Sequence, residues 1–393
     1  MKVRYIRLLF VFAIVSTLPS LVAAQGCVAV RPMGCGGSNP TGNSFLMNKG
    51  DVQAGILYRY FESYKHFRGD SEEEERVENG TEVINDAHSL DISLTYALSH
   101  RLSLTANLPL IYYDRSSLYE HYGNSLTANP EQKRFHTGAQ GIGDMRFSAS
   151  YWMLNPEKHM KTNFALGLGV KLPTGNENVQ DEFHKRKASD GTDTVIIKAV
   201  DQSIQLGDGG VGISIDLQAY TVLSNRFSLY LNGFYMSNPR ETNNTVNRIL
   251  TASSTISDSI TQFHSVADQF AFRFGANFVV LPKQGLVFGL GVRAEGVPAK
   301  DLVGGSWGFR RPGYIISAEP GLSYQAGNLS LNLSVPVALY RNRVKSVSDL
   351  ADPAGLRHGD AAFADYLVNF GATYRFAKHH QMMEPKPVFK DAN

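Results

Sequence analysis

The sequence has little that would support redox or metal chemistry, since its 393 residues include only two cysteines. Cys27 and Cys35 lie close together near the N-terminus, and in an oxidising compartment such a pair predicts a small local disulfide. A metal-binding or redox pair is the alternative, but the two thiols lack CxxC spacing and a nearby histidine. We therefore predict a structural crosslink, with no cofactor and no metal site.

The chain also lacks a long apolar run after its first 24 residues. Those residues are organised as an export signal, in which Lys2, Arg4 and Arg7 precede an apolar run and residues 22–24 are small. Lipidation of Cys27 is the alternative, but that site needs a leucine-like residue three positions earlier, where the chain has alanine. No later stretch approaches the roughly 18 to 20 apolar residues of a membrane helix. Any membrane span must then be a closed barrel, in which every backbone group can pair.

Charge of one sign is not in excess. The chain carries 38 Lys and Arg against 36 Asp and Glu, and removal of the three basic signal residues leaves 35 against 36. A mature net charge of −1 offers no basic footprint for a polyanion. We expect no nucleic-acid partner.

What the sequence does contain is an alternation of apolar with small or polar residues, the period of β-strands, in about twelve segments. In the clearest one, 329–339, Leu or Val occupies every second position while Ser330, Asn332 and Ser334 occupy the opposite face. The predicted strands are 51–62, 89–98, 102–113, 143–154, 161–172, 210–223, 226–237, 268–281, 285–296, 313–325, 328–341 and 363–376.

The connections between these segments alternate strictly between short turns and long polar loops. Short periplasmic turns opposite longer extracellular loops, with an even number of strands, are typical of outer-membrane barrels. We therefore predict an all-β fold, a transmembrane antiparallel up-and-down β-barrel of about 12 strands at residues 51–376, with a signal peptide at 1–24 and a periplasmic tail at 377–393. The segment 25–50 is either a plug in the periplasmic mouth or a free tail. The predicted loops are 63–88, 114–142, 173–209, 238–267, 297–312 and 342–362.

Charge is predicted to be absent from the register of the apolar residues, because charge on a lipid face costs roughly 2 to 4 kcal/mol for Arg or Lys at mid-membrane. The opposite register carries ionisable residues, which would line a narrow lumen. They could pair with one another in structural networks, or a subset could contact a solute; the best candidates for contact are Arg273, Arg293, Glu295 and Glu319. The full set of lumen-lining candidates is Arg59, Asp91, Arg146, Lys171, Asp216, Arg273, Arg293, Glu295, Glu319, Arg341, Asp365 and Arg375.

The same alternation would suit a soluble β-sandwich with its apolar face inward. Tyrosines near the strand ends favour the membrane interpretation, because aromatic girdles lie at the headgroups of transmembrane barrels. The last predicted strand also ends on an aromatic residue, Phe376, as substrates of the barrel-assembly machinery do. The tyrosines in the apolar register are Tyr58, Tyr60, Tyr112, Tyr151, Tyr235, Tyr314, Tyr324, Tyr366 and Tyr374.

Several stretches resemble the MetA-pathway-of-phenol-degradation family of outer-membrane β-barrel transporters. The main ones are Gly141-Ile142-Gly143-Asp144 with the strand that follows, and Gly167 to Gly175, which ends in Pro-Thr-Gly. Residues 27–31, 58–69 and 83–85 are similar to the same group. The resemblance spans most of the mature chain and implies a transport barrel linked with aromatic or other apolar compounds.

Two further hypotheses concern cation binding and enzymatic activity. The acidic run Asp70 to Glu75 could bind divalent cations, although a run of like charges is usually a solvated face. A lipid-active enzyme is the second, because one class of outer-membrane phospholipase also uses a twelve-stranded barrel. The lipid-facing register offers no His with a Ser partner, and no HExxH, GxSxG or phosphate loop occurs, so we predict that the chain is not an enzyme.

The function that these patterns favour is passage of small solutes through a narrow, charged lumen in the bacterial outer membrane. The expected partners are outer-membrane lipid, a small-molecule solute and the barrel-assembly machinery. A non-transport surface or structural barrel is the main alternative. The sequence does not indicate an oligomeric state.

Overall fold

The computed structural model describes residues 46–187 and 189–376. The signal peptide at 1–24, both cysteines with most of segment 25–50, and the tail at 377–393 lie outside these residues. The predicted disulfide and the choice between plug and free tail therefore stay predictions. No helix in the described ranges is both long enough and apolar enough to cross a membrane.

Twelve antiparallel strands form a closed barrel within the described residues, which confirms the predicted fold class. Each strand pairs with the next along the chain, and the last pairs with the first from Val52↔Phe376 to Tyr60↔Val368. Closure leaves no free sheet edge, as a membrane span requires. The strands are β1 (Val52–Arg68), β2 (Ile84–Ala97), β3 (Leu102–Ser117), β4 (Phe135–Ile142 and Arg146–Trp152), β5 (Thr162–Lys171), β6 (Gly212–Val222), β7 (Phe227–Ser237), β8 (Gln269–Leu281), β9 (Leu286–Val297), β10 (Gly313–Ala326), β11 (Leu329–Ser334 and Val337–Asn342) and β12 (Ala361–Ala364 and Val368–Phe376).

The long loops contain structure of their own, which the sequence reading treats only as polar connections. The helices Ile256–Ile260 and Val347–Leu350 each begin with a capping box, in which Thr255 or Ser346 exchanges hydrogen bonds with an aspartate three residues further along the chain. The additional elements are α1 (Glu75–Glu78), α2 (Ile256–Ile260), α3 (Val347–Leu350), the 3-10 turns Gln202–Ile204 and Pro282–Gln284, a short strand Ser71–Glu72, a hairpin of Gln180–Arg186 with Asp193–Ala199, and a strand pair of Thr242–Val246 with Phe263–Ser265.

Several strand bounds on the loop side are wrong in the sequence reading. β1 runs to Arg68 instead of 62, β2 begins at Ile84 instead of 89, and β4 begins at Phe135 instead of 143. These extensions carry polar and charged residues, so the apolar alternation that marks a lipid-facing strand stops before the hydrogen-bonded ladder does.

Burial alternates along the strands as the period-2 pattern predicts. In β5, Leu166, Leu168 and Val170 are exposed on the outer face, while Asn163 and Lys171 are buried on the inner one. The outer face is therefore apolar and suited to lipid, and the inner face is polar.

Glu62 is an exposed exception to the predicted charge-free outer register, whereas Arg341 shares only the parity of that register. Glu62 is exposed near the loop end of β1, in the register of the outward tyrosines. Arg341 has the parity of the outward leucines of β11, but an irregularity between Ile316 and Ser317 of the β10–β11 ladder shifts the register. The shift leaves Arg341 buried, whereas Leu339 is exposed.

Exposed aromatic rings lie near both ends of the strands. Tyr151, Tyr324 and Tyr374 lie near the short turns, and Tyr112 and Tyr366 lie near the long loops. This distribution matches the two aromatic girdles of a transmembrane barrel.

Three histidines within the predicted loops, His66, His88 and His136, lie instead on barrel strands, and His88 is on β2. His88 Nδ1 shares a hydrogen bond of 2.7 Å with the hydroxyl of Tyr58, and its Nε2 lies 3.1 Å from the carboxylate of Asp86. Tyr60 and Tyr112 lie beside its ring. The neighbours are thus phenols and a carboxylate, which suits an interfacial aromatic cluster.

Candidate functional site

The inner face of the barrel collects the ionisable residues of the strands. None of the twelve lumen-lining candidates is exposed. Nine are buried, and Asp216, Arg273 and Arg375 are half-buried. Burial of so many charges requires compensation by partners of opposite sign.

The best candidates from the sequence do come together, across β8, β9 and β10. Arg273 donates two hydrogen bonds to the carboxylate of Glu319, at 2.7 and 2.9 Å. Arg293 forms a similar fork with Glu295, at 2.9 and 2.7 Å, and its Nη1 lies 3.9 Å from Glu319. The four residues form one network, in which Glu319 is shared by two guanidinium groups.

A cavity of about 130 Å³ lies in the barrel beside this network. Its wall includes Asp91, Arg273, Arg293 and Glu319, together with the ring of Tyr230. Small, amide and aliphatic residues complete the lining, so the cavity offers charge, hydrogen bonds and some apolar surface. Such a wall can receive a small polar group or water.

A second ion pair lies on the neighbouring inner wall. Arg146 of β4 pairs with Asp216 of β6 and also donates to Ser214 Oγ. The ring of Phe234 lies 5.2 Å from the same guanidinium. These contacts fix Arg146 against the wall.

The two motifs that carry the family resemblance, residues 141–144 and 167–175, meet at the break in β4 between Ile142 and Arg146. Asp144 accepts hydrogen bonds from the backbone N–H of Gly175 at 3.0 Å and of Asp208 at 3.1 Å. Thr174 Oγ1 donates to the carbonyl of Gly143 at 2.8 Å. Lys171 pairs with Asp208 and lies 3.7 Å from Asp144. The motifs therefore tie the base of the 172–211 loop to the barrel wall.

The same loop folds inward above this anchor. Leu206 packs against Ile111 and Ala139, and all three are buried. Gln205 is also buried, and its amide donates to the carbonyls of Val179 and Val200. The loop therefore narrows the interior on this side.

Apolar packing also narrows the end of the barrel where the turns lie. Trp152, Ala165 and Tyr220 form a buried cluster on the inner wall, and Leu46 packs against it. Arg375 donates to the carbonyl of Leu46 at 3.1 Å. Leu46 is thus held against the inner wall at this end.

The loops enclose a second, larger cavity at the opposite end of the barrel, with a volume of about 450 Å³, which we call the outer vestibule. Residues from five of the six long loops or the adjoining strand ends line it. Two of the lining side chains are carboxylates, Asp349 and Asp360. Its cationic side chains are Arg76, Arg115, Arg310, Arg311, Arg343 and Arg357.

An ion-pair network joins the loops around the vestibule. Asp201, from the 172–211 loop, accepts a fork from Arg311 at 2.8 and 2.7 Å and lies 3.6 Å from Arg115. Arg115 in turn pairs with Glu120. The two arginines hold the pKa of the Asp201 carboxyl well below its usual range, despite burial that opposes ionisation.

The outer segment of β12 closes one side of the vestibule. Ala361–Ala364 is buried throughout and pairs with β1, while the outer segment of β11 has only an isolated bridge, Val337↔Tyr366, to β12. Phe363 packs edge-on against Phe67 at 5.4 Å. An apolar patch therefore adjoins the arginines.

One group in the described residues has metal-ligand spacing, but its contacts fit an arginine better. The group consists of His66, Glu73 and Asp360. His66 Nε2 accepts from the backbone N–H of Val83 at 2.9 Å, so Nδ1 carries the proton that is donated to Asp360 at 2.6 Å. Arg76 contacts both carboxylates, at 2.7 and 2.9 Å. A protonated nitrogen and a bound guanidinium leave no ligand set for a metal.

None of the vestibule arginines is among the candidate site residues predicted from the sequence. They lie in loops or at strand ends, where no alternation marks them, and the partner that Arg115 and Arg311 share, Asp201, is far from both in the chain. The dipeptide Arg310-Arg311, beside Phe309 in a loop, is the one local signal that could have indicated them.

Comparison with known proteins adds a structural likeness. No family model matches the chain, and no curated protein matches its sequence. An outer-membrane channel from Pseudomonas putida F1 aligns with a TM-score of 0.54 at 12% identity, covering 87% of this chain and 100% of that one. The P. putida toluene transporter TodX aligns with a TM-score of 0.40 at 11% identity, covering 87% and 93% respectively. The likeness to the first protein shows the fold.

Proposed function

We propose that the chain is a channel of the bacterial outer membrane that passes small solutes. The observation that carries the proposal is the combination of a closed barrel, an apolar outer face and a polar inner face that contains two cavities. The channel of P. putida F1, which shares the fold, lends support. The aromatic end of β12 at Phe376 is consistent with insertion by the barrel-assembly machinery.

The solutes that we propose are small organic molecules, including aromatic ones. The resemblance to the phenol-degradation family supports this class, as does the presence of Phe309 and Tyr119 in the wall of the outer vestibule. The lumen-lining charges would then act mainly by pairing, with Arg273 and Glu319 available to a solute in the central cavity.

Liposome swelling by the reconstituted mature chain tests the proposal. We expect swelling with glycerol and slower swelling with larger sugars, because the lumen of twelve strands is narrow. No swelling by protein that shows heat-modifiable migration, the mark of a folded barrel, would contradict the channel and favour a sealed structural barrel.

A variant at the turn end sharpens the test. Trp152→Ala removes the largest ring of the cluster around Leu46 and should raise the swelling rate. Tyr151→Ala, the neighbouring ring on the lipid face, is the matched control and should leave the rate unchanged. Equal rates for both variants would show that this cluster does not limit passage.

A further inference from the structure

The outer vestibule has a cationic wall in a confined space. Six arginines and two aspartates line its cavity of about 450 Å³. The other carboxylates that pair with these arginines, Glu73, Glu120, Asp201, Asp258 and Asp301, are not part of the lining. The surface that a ligand in the cavity would contact is therefore mainly cationic, because most of the partner carboxylates are not part of the lining.

Arg343 is a buried vestibule arginine with a single, long ion pair. It is 3% exposed, and its one ion-pair partner among the described residues, Asp349, lies at 3.4 Å. The Asp349 carboxylate already accepts from the backbone N–H and hydroxyl of Ser346 and from the backbone N–H of Gly359. It also lies 3.6 Å from Arg357. The Asp349 carboxylate therefore uses most of its hydrogen-bonding capacity within its own loop.

Arg343 retains an unused donor. Its Nη1 donates to the carbonyl of Val344, and its buried Nε has no hydrogen-bond partner among the described residues. A buried N–H of a charged group that lacks an acceptor costs free energy, and an anion would restore the acceptor. Burial and the nearby charge of Arg311 lower the pKa of Arg343 to about 10, which agrees with incomplete compensation.

We propose that the outer vestibule is a binding site for a small organic anion, whose carboxylate is held by Arg343 within the field of Arg311 and Arg357. Phe309 and Tyr119, which line the same cavity, offer flat apolar surfaces for the remainder of an aromatic carboxylate. The proposal rests on the proposed function for its role, since the site would concentrate anionic solutes at the channel entrance.

Calorimetric titration of the folded mature chain in detergent tests the site. Sodium benzoate should bind, and benzamide, which has the same shape without the charge, should bind at least roughly tenfold more weakly. Equal affinity for the two compounds, or binding of inorganic phosphate without binding of benzoate, would overturn the proposal.

Variants assign the contact. Arg343→Gln should weaken benzoate binding by roughly tenfold or more, whereas Arg226→Gln, the same change on an exposed turn at the other end of the barrel, should have no effect. If Arg343→Gln does not fold, Gly359→Ala serves instead. Its Cβ would lie 2.8 Å from Arg343 Nη2 and displace the guanidinium, so it should also weaken binding. Unchanged affinity in the folded variant would overturn the assignment.

The titration and the swelling assay distinguish failure of the anion site from failure of the channel. Benzoate binding without solute flux would contradict the channel and leave the anion site standing. Flux without benzoate binding would remove the anion site and leave the channel.

Discussion

Glu319 is the carboxylate that two arginines of the inner wall share, one half-buried and one buried. It is 2% exposed, forks with Arg273 and lies 3.9 Å from Arg293. Ser334 Oγ also donates to it, at 3.1 Å. A charge with this many partners can be neutralised only by leaving cations uncompensated in the barrel interior.

Replacement of Glu319 by Gln should therefore destabilise the barrel. Loss of one partner from a buried ion pair costs about 3 to 5 kcal/mol, and we expect the lower end because the adjoining cavity can admit water. Urea unfolding in lipid vesicles, followed by heat-modifiable migration, measures the change. Glu157→Gln, on an exposed turn, should change stability by less than about 1 kcal/mol. Similar stability of the two variants would contradict the structural role of Glu319.

At the scale of elements, the hairpin Gln180–Arg186/Asp193–Ala199 is held over the barrel by an aromatic stack. His121 lies between Phe135 and Phe183, with ring centroids 5.2 and 5.4 Å away. The backbone N–H of His184, in the hairpin, donates to His121 Nδ1 at 3.1 Å. That bond requires an unprotonated Nδ1, so the neutral ring joins the two loops.

Acid should release this hairpin. Burial lowers the pKa of His121 to about 4, with His184, Lys185 and Lys198 acting in the same direction and Glu120 opposing them. The unfolded loop has a histidine of ordinary pKa, about 6.5. It takes up the proton first, so the packing is fully stable above about pH 6.5 and weakens as the pH falls toward about 4.

Amide hydrogen exchange of the hairpin at pH 7 and pH 4.5, corrected for the intrinsic effect of pH, measures this release. We expect lower protection at pH 4.5. In His121→Phe an aromatic ring remains in the stack but cannot be protonated, so the difference in protection between the two pH values should shrink. Equal protection at both pH values in the unaltered chain would contradict the role of His121.

Two strands carry glycine where an inward tyrosine lies against the wall. A Cβ added at Gly291 of β9 would clash with the hydroxyl of Tyr230, and one at Gly275 of β8 would lie 2.6 Å from it. Because these two positions have no side chain, the Tyr230 ring can lie against the wall at the edge of the central cavity instead of projecting into it.

Gly291→Val should force the Tyr230 ring toward the central cavity and lower single-channel conductance. Gly371→Ala is the matched control, because its nearest added contact would be 3.6 Å away and it lines the same cavity. An unchanged conductance in Gly291→Val would mean that the ring does not border the solute path.

At the scale of the whole molecule, the barrel could be predicted from the sequence because lipid acts on every strand in the same way. Each strand must present apolar residues outward, so Leu166, Leu168 and Val170 of β5 carry the signal locally. The loops are folded by contacts between distant segments, such as Arg311 with Asp201 and Arg115 with Asp201. No periodicity encodes such contacts, so the vestibule could not be predicted.

The proposed channel requires that the closed barrel enclose a water-filled path for small solutes. Single-channel recording from the purified mature chain in a planar lipid bilayer tests it most directly. We expect discrete, small conductance steps that rise in Trp152→Ala and fall in Gly291→Val. A folded, inserted barrel that passes no ionic current at any applied voltage would contradict it.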